Sequence, residues 1–274
     1  MEDVLIALIK YLAVVSAAGY LAVVIIVWTL QDRMIFLPQP AGAETVPLPH
    51  GWSRVEVRFG TADGITLHAS LIRPGGAPAP VIMYFGGNAE DVSSLAQFAD
   101  RYGRFALLLP YYRGYGLSGG TPHESHLFAD ALLVYDAIVK RPDIQGNRVH
   151  LHGRSLGSGV AVFVATKRPV ASIVLTTPYD SLTKVAADIY PFLPISLLLR
   201  HKFDSLSRAE EVKVPALFLV AEQDRVIPPK HSERLYEAWA GPKTWKAYAG
   251  CDHNNVSDAP GYWDTIAAFL ERMD

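Results

Sequence analysis

Cysteine is all but missing from this chain. The single Cys251 can form no intramolecular disulfide and cannot supply a cysteine-based zinc site. Charge is scarce as well, at 19% of residues, and close to balanced, with a net charge of −2. That leaves no basic footprint for nucleic acid, and no nucleic-acid partner is expected. Histidines form two close pairs, His123/His126 and His150/His152, each without a third ligand, so neither a metal nor another cofactor is expected. Repeats and low-complexity tracts are also lacking. What is plentiful is apolar: 50% of the 274 residues are hydrophobic, enough for a sizeable core and too many for a disordered chain.

The longest stretch without charge lies near the N-terminus, from Tyr11 to Leu30: YLAVVSAAGYLAVVIIVWTL. As a helix it is about 30 Å long, the thickness of a bilayer's hydrocarbon core. Tyr11 and Trp28 sit where interfacial aromatics belong, and Lys10 and Arg33 can snorkel at the two ends. No small-residue cleavage site follows in WTLQDR, so the segment reads as an uncleaved single-pass anchor, residues 1–33, and not as a signal peptide. An N-terminal anchor of this kind leaves the following domain outside the cytoplasm by default. A Pro/Gly-rich linker is expected over 34–53 and a folded domain over 54–274.

The folded part opens with two alternating runs around Asp63-Gly64, a hairpin signal. Short apolar runs then recur at 80–85, 105–110, 148–153, 171–178, 215–224 and 243–250, with helix-length segments such as 123–140 and 230–240 between them. Strands alternating with helices imply an α/β fold, a mainly parallel sheet with helices on both faces. The excursion over about 180–213, broken by Pro191 and Pro194, is expected to form a short helical lid.

Two stretches match Gly-x-Ser-x-Gly, centred on Ser118 in GYGLSGG and on Ser155 in HGRSLGSG. A nucleophile elbow needs a strand leading in, a tight turn and a helix leading out. Ser155 has all three: RVHLH precedes it, Gly153 and Gly157 flank it, and LGSGVAVFVATKR follows. Ser118 has none, because its strand ends at Pro110 and the next helix is announced only at TPHE, with Thr121 as N-cap, Pro122 at the first position and Glu124 completing a capping box. The same delay removes a dinucleotide site, whose helix must open inside Gly-x-Gly-x-x-Gly.

A serine hydroxyl attacks only when a base takes its proton and an acid orients that base. Where an elbow carries the serine, the chain order is Ser, then Asp or Glu, then His. Asp224 closes the run ALFLVAEQD and His253 follows KTWKAYAG, both beyond strands, where ligands gather in open α/β sheets. Ser155, Asp224 and His253 are therefore the candidate catalytic residues. The oxyanion donors are expected to be the backbone N–H groups of Leu156, after the nucleophile, and Asn88, in the glycine-rich turn MYFGGNAED.

With these residues in place, the chain from about residue 31 onward resembles the α/β-hydrolase fold, in particular its membrane-anchored Bem46-like (ABHD13/ABHD17-like) branch. The likeness rests on QDRMIFLPQP, GGNAED, YRGYGLSGGTP, GRSLGSGVA, YPFLPISLLLRHKFDSL, VPALFLVAEQDRVIPPKHSERLY and GCDHNN, in that order. It implies Ser155 as nucleophile, Asp224 as acid and His253 as base, acting on an ester, thioester or amide through an acyl-enzyme. Gly86 departs from the branch's usual His, Tyr111 from its Asp and Ala221 from its Gly. The expected partners are the membrane and a small-molecule, lipid or acylated substrate. The alternatives are an aminopeptidase-like hydrolase and a non-catalytic binding protein of the same fold.

Overall fold

The structure is a computed structural model and describes residues 1–41, 46–76 and 78–274. Its core is one sheet of eight strands in the order β1-β2-β4-β3-β5-β6-β7-β8. In chain order these are β1 (Trp52–Gly60), β2 (Thr66–Pro74), β3 (Ala79–Phe85), β4 (Ala106–Pro110), β5 (Ile144–Arg154), β6 (Ser172–Thr176), β7 (Ala216–Ala221) and β8 (Lys243–Tyr248). β2 runs antiparallel to both of its neighbours, and the strands from β4 to β8 are mutually parallel. Sequence explains the layering. APVIMYF, ALLLP and ALFLVA are buried at every position, as strands covered on both faces must be, whereas edge strand β1 alternates. The β1–β2 turn closes where Gly64 takes a positive φ of 82° and donates its N–H to the Thr61 carbonyl at 3.0 Å.

The helices are α1 (Glu2–Ile35), α2 (Glu124–Ile138), α3 (Leu156–Lys167), α4 (Leu182–Ile189), α5 (Ile195–Leu198), α6 (Leu206–Ala209), α7 (Pro229–Ala238) and α8 (Tyr262–Met273). A 3₁₀ segment, Val92–Tyr102, links β3 to β4. The lid expected over 180–213 comprises α4, α5 and α6, inserted between β6 and β7.

α1 is longer than its charge-free centre, running about 51 Å over 34 residues. Nearly all of it is exposed, and it is apolar and long enough to cross a membrane. Its last turns nevertheless touch the lid. The Gln31 side chain donates to the Leu198 carbonyl at 3.1 Å and accepts the Arg200 N–H at 2.8 Å. Asp32 accepts from the Arg200 guanidinium at 3.0 Å and pairs with the His201 ring at 2.8 Å. The stretch expected as a linker over 34–53 thus begins inside the helix and ends inside β1; residues 42–45 of it lie outside the described residues.

The start of α2 differs from expectation. Its N-cap is His123, whose ring Nδ1 accepts the Ser125 N–H at 3.3 Å, not Thr121. Glu124 closes no capping box. Its carboxylate instead accepts the N–H groups of Lys202 and Phe203, at 2.6 and 2.9 Å. Those donors lie where Phe203 takes a positive φ of 37° and cannot join a helix, so a tertiary demand outcompetes the local cap.

Candidate active site

β5 ends in the middle of the sheet, between β3 and β6, with Gly153 beside Phe85 and Leu175. The chain then turns sharply at Ser155, whose φ of 49° and ψ of −119° lie in a region that side chains rarely adopt, and enters α3. The flanking glycines follow from crowding. A Cβ on Gly153 would stand 2.5 Å from the Gly157 carbonyl oxygen, and one on Gly157 would collide with the Phe85 carbonyl. Small neighbours let α3 press against the strand ends, and the pressure holds the turn in its costly conformation.

The structure brings three of the expected residues together. His253 Nε2 lies 2.9 Å from Ser155 Oγ, and His253 Nδ1 lies 2.7 Å from Asp224 Oδ2. The other Asp224 oxygen accepts the N–H groups of Val226 and Ile227 at 2.9 and 2.7 Å, which fixes the carboxylate plane. A carboxylate can only accept, so Nδ1 carries the proton, and Nε2 is left free to accept one from the hydroxyl. His253 and Asp224 are both buried.

The two expected oxyanion donors face the same space. Leu156 is the first residue of α3, whose N-terminal amides lack intrahelical partners and carry the helix's positive end. The Asn88 side chain is tied down by the Leu37 N–H and the Tyr115 hydroxyl, each 2.9 Å from its Oδ1. Among the described residues, neither backbone N–H has a protein acceptor. Asn88, Ser155 and Leu156 line one cavity of about 280 Å³, close to the lower limit of ordinary ligand pockets at about 300 Å³. Its other walls are apolar: the lid supplies Leu182, Val185, Ile195 and Leu199, and α1 supplies Val27 and Met34. Tyr179 is the main polar exception. Burial pushes its phenol well above the usual range, so it stays a neutral donor, bonded to the Leu156 carbonyl at 3.3 Å.

Gly86 also has a structural reason. A Cβ there would stand 2.5 Å from the Val92 side chain, and its carbonyl accepts from Tyr112 at 2.9 Å. The Glu90 carboxylate then accepts the Gly87 N–H and the Tyr84 hydroxyl, both at 2.6 Å. Arg154 pairs with Glu90 at 3.3 Å and donates to the His253 carbonyl, also at 3.3 Å. Sequence reasoning missed this pair; its only signal was one acidic and one basic residue embedded in the two glycine-rich turns.

Ser118 is buried and takes no part in this geometry. Its hydroxyl donates to the Tyr111 carbonyl and accepts the His68 N–H, both at 2.9 Å, pinning a loop whose Gly114, Gly116 and Gly120 all take positive φ. The histidine pairs have structural partners. His152 is hydrogen-bonded to Tyr102 and Thr176, and His150 to Ser172.

Comparison with known proteins agrees with this architecture. The family model of the serine aminopeptidases, S33, matches residues 196–260. Uncharacterized protein Rv2307c of Mycobacterium tuberculosis is 34% identical over 270 residues, covering 95% of each chain. Protein bem46 of Schizosaccharomyces pombe is 26% identical, covering 97% of this chain and 94% of its own. This chain belongs to the α/β-hydrolase superfamily. Within it, the chain is a serine hydrolase, and it is similar to protein bem46. Among solved structures, an acetyl xylan esterase from Paenibacillus sp. R4 shares the fold with a TM-score of 0.67 at 22% identity, covering 90% of this chain and 93% of its own.

Proposed function

We propose that this protein is a membrane-anchored serine hydrolase that cleaves an acyl ester or thioester through an acyl-enzyme, with residues 1–33 as anchor and 54–274 as hydrolase domain. The observation that carries the reading is the unbroken line from Ser155 Oγ to His253 to Asp224, with Ser155 lining a largely apolar cavity. In this reaction His253 Nε2 takes the Ser155 proton as Oγ attacks the substrate carbonyl carbon. The C=O electron pair moves onto oxygen, and the N–H groups of Asn88 and Leu156 stabilise that charge. Asp224 stabilises the imidazolium and keeps its orientation. As the intermediate collapses, His253 returns the proton to the leaving group. Water then enters, gives its proton to His253 and attacks the acyl carbon, and Ser155 leaves with the proton restored.

An aminopeptidase reading fits less well, because a substrate ammonium needs a carboxylate and, among the described residues, no Asp or Glu lines this cavity. A long acyl group suits the aliphatic walls. The hydrolase domain is assigned to the extracytoplasmic side, as expected behind an uncleaved N-terminal anchor. Protease treatment of intact cells should then degrade it.

Fluorophosphonate labelling of the purified full chain tests the assignment. Wild type and Ser118→Ala should label, and Ser155→Ala should not. Labelling that persists in Ser155→Ala overturns it. Hydrolysis of p-nitrophenyl esters of graded length then ranks the acyl preference.

A further inference from the structure

The cavity and the N-terminal helix share a wall. Tyr20, Val24, Val27 and Gln31 recur at helical spacing and form one stripe along α1. Val24 and Val27 are partly covered, in a helix otherwise exposed at this level, and Val27 lines the cavity. At one end of the stripe Gln31 is bonded to Leu198 and Arg200. At the other, the Tyr20 hydroxyl donates to the Phe192 carbonyl at 2.9 Å. The lid therefore runs alongside α1 for about 17 Å.

Both partners change character at the same level. α1 carries no charge from Tyr11 to Leu30 and then reads Gln31, Asp32, Arg33. The lid carries none from Ile189 to Leu199, IYPFLPISLLL, and then reads Arg200, His201, Lys202. Asp32 and Arg200 meet across this boundary at 3.0 Å, and the Arg200 guanidinium lies 5.5 Å from the Trp28 ring centre, as at a membrane–water interface. On the apolar side, Phe192 is 87% exposed and Leu197 85% exposed. Water would make such residues costly, whereas a lipid leaflet would not.

Most backbone N–H groups of the segment are absent or already paired, which lowers the cost of placing it in lipid, where unpaired polar groups are expensive. Pro191 and Pro194 have no N–H. Leu193, Ile195 and Leu197 donate theirs to carbonyls within the segment. The carbonyls of Phe192 and Leu198 accept from Tyr20 and Gln31 of α1.

We infer that the lid edge Ile189–Leu199 is inserted in the same leaflet as the C-terminal half of the anchor, and that the cavity opens between them into lipid. Its mouth residues Met34, Ile189, Tyr190 and Val226 are each about half exposed and apolar in character. An acyl chain then reaches Ser155 sideways from the bilayer, without crossing water. The inference rests on the anchor and the nucleophile proposed above.

The test uses the full chain in phosphatidylcholine vesicles, in a Cys251→Ser background. Nitrobenzoxadiazole is attached at Phe192→Cys, Leu197→Cys and, as a reference, Glu271→Cys. Glu271 lies in α8, whose end meets Arg148 near the start of β5, on the opposite edge of the sheet. Labels at 192 and 197 should be quenched by doxyl-labelled lipid and shielded from iodide, with the reverse at 271. Lid labels that behave like the one at 271 overturn the inference. In a second arm, the Phe192→Ser/Leu197→Ser pair should lower the ratio of long-chain ester hydrolysis in vesicles to p-nitrophenyl acetate hydrolysis by about tenfold or more. An unchanged ratio overturns the sideways route. Quenching requires no turnover, so a failure of the Ser155 assignment would show in fluorophosphonate labelling and leave the quenching result standing.

Discussion

Arg154 donates to the backbone carbonyl of His253 at 3.3 Å, so the residue preceding Ser155 holds the loop that carries its hydrogen-bond partner. The same guanidinium pairs with Glu90, which in turn accepts the Gly87 N–H. One cation thus spaces the loop of Gly87 and Asn88 against the loop of His253. Arg154 does not line the cavity, and its expected role is positioning. Arg154→Met should lower kcat by about tenfold to a hundredfold with KM little changed, as misplacement of reacting groups by about 1 Å does. Arg154→Lys should restore part of the loss. An equal rise in KM with kcat intact would show that the pair shapes binding instead.

Asp224→Asn separates charge from shape. The side-chain oxygen can still accept from the Val226 and Ile227 N–H groups, which turns the new NH₂ toward His253 Nδ1. The imidazole must then accept at Nδ1 and carry its proton on Nε2, where it can no longer take one from Ser155. A fall in kcat of about 10⁴-fold is expected, with little change in thermal stability. Retained turnover in this variant would remove Asp224 from the proposed triad.

Much of this fold was legible because the central strands are covered on both faces. APVIMYF, ALLLP and ALFLVA need no partner to be recognised as buried strands. The turn at Ser155 was legible for a local reason: both flanking glycines are required by atoms within the strand–turn–helix unit or in the adjacent strand. The meeting of Ser155, Asp224 and His253 followed from chain order and strand ends, since every parallel strand delivers its next loop to one edge. Contacts between distant loops carried no such periodic mark. Glu90 and Arg154 are 64 positions apart, and Gln31 and Leu198 are 167 apart. The Glu124 capping box failed for the same reason, because two backbone donors from the lid, invisible to a local rule, claimed its carboxylate.

Gly86 and Val92 should prove coupled. A methyl group at 86 would press on the Val92 side chain at 2.5 Å, behind the loop that presents Asn88. Gly86→Ala should cost about 1–3 kcal/mol in urea unfolding, the usual penalty of overpacking. Combined with Val92→Ala, it should cost clearly less than the sum of the two single changes. The larger His found at this position in the resembling branch would need still more room. Strict additivity in the double variant would show that backbone displacement, not the valine, absorbs the added methyl.

Acid should destabilise the protein before its carboxylates titrate. Burial lowers His152 from an ordinary 6.5 to about 3, with the nearby Arg154 charge adding to the effect. Burial likewise lowers His150 to about 4, helped by Arg148 and Arg104. Both rings are neutral in the fold, where His152 joins Tyr102 to Thr176 and His150 meets Ser172. Below pH 6.5 the unfolded chain binds protons that the folded chain refuses, so stability rises with pH in this window and is lost as pH falls. Each such histidine contributes a slope of at most about 1.4 kcal/mol per pH unit. The decline should begin near pH 6.5 and continue toward about 4 for His150 and about 3 for His152. Carboxylates held low by arginine or lysine, among them Asp136, Asp143 and Asp188, add their own loss only around and below their ordinary 3.8. Urea midpoints measured from pH 7 to 4.5 therefore isolate the histidines. His152→Gln, whatever it costs at pH 7, should flatten the slope over that range, and an undiminished slope would mean that His152 is already protonated in the folded chain.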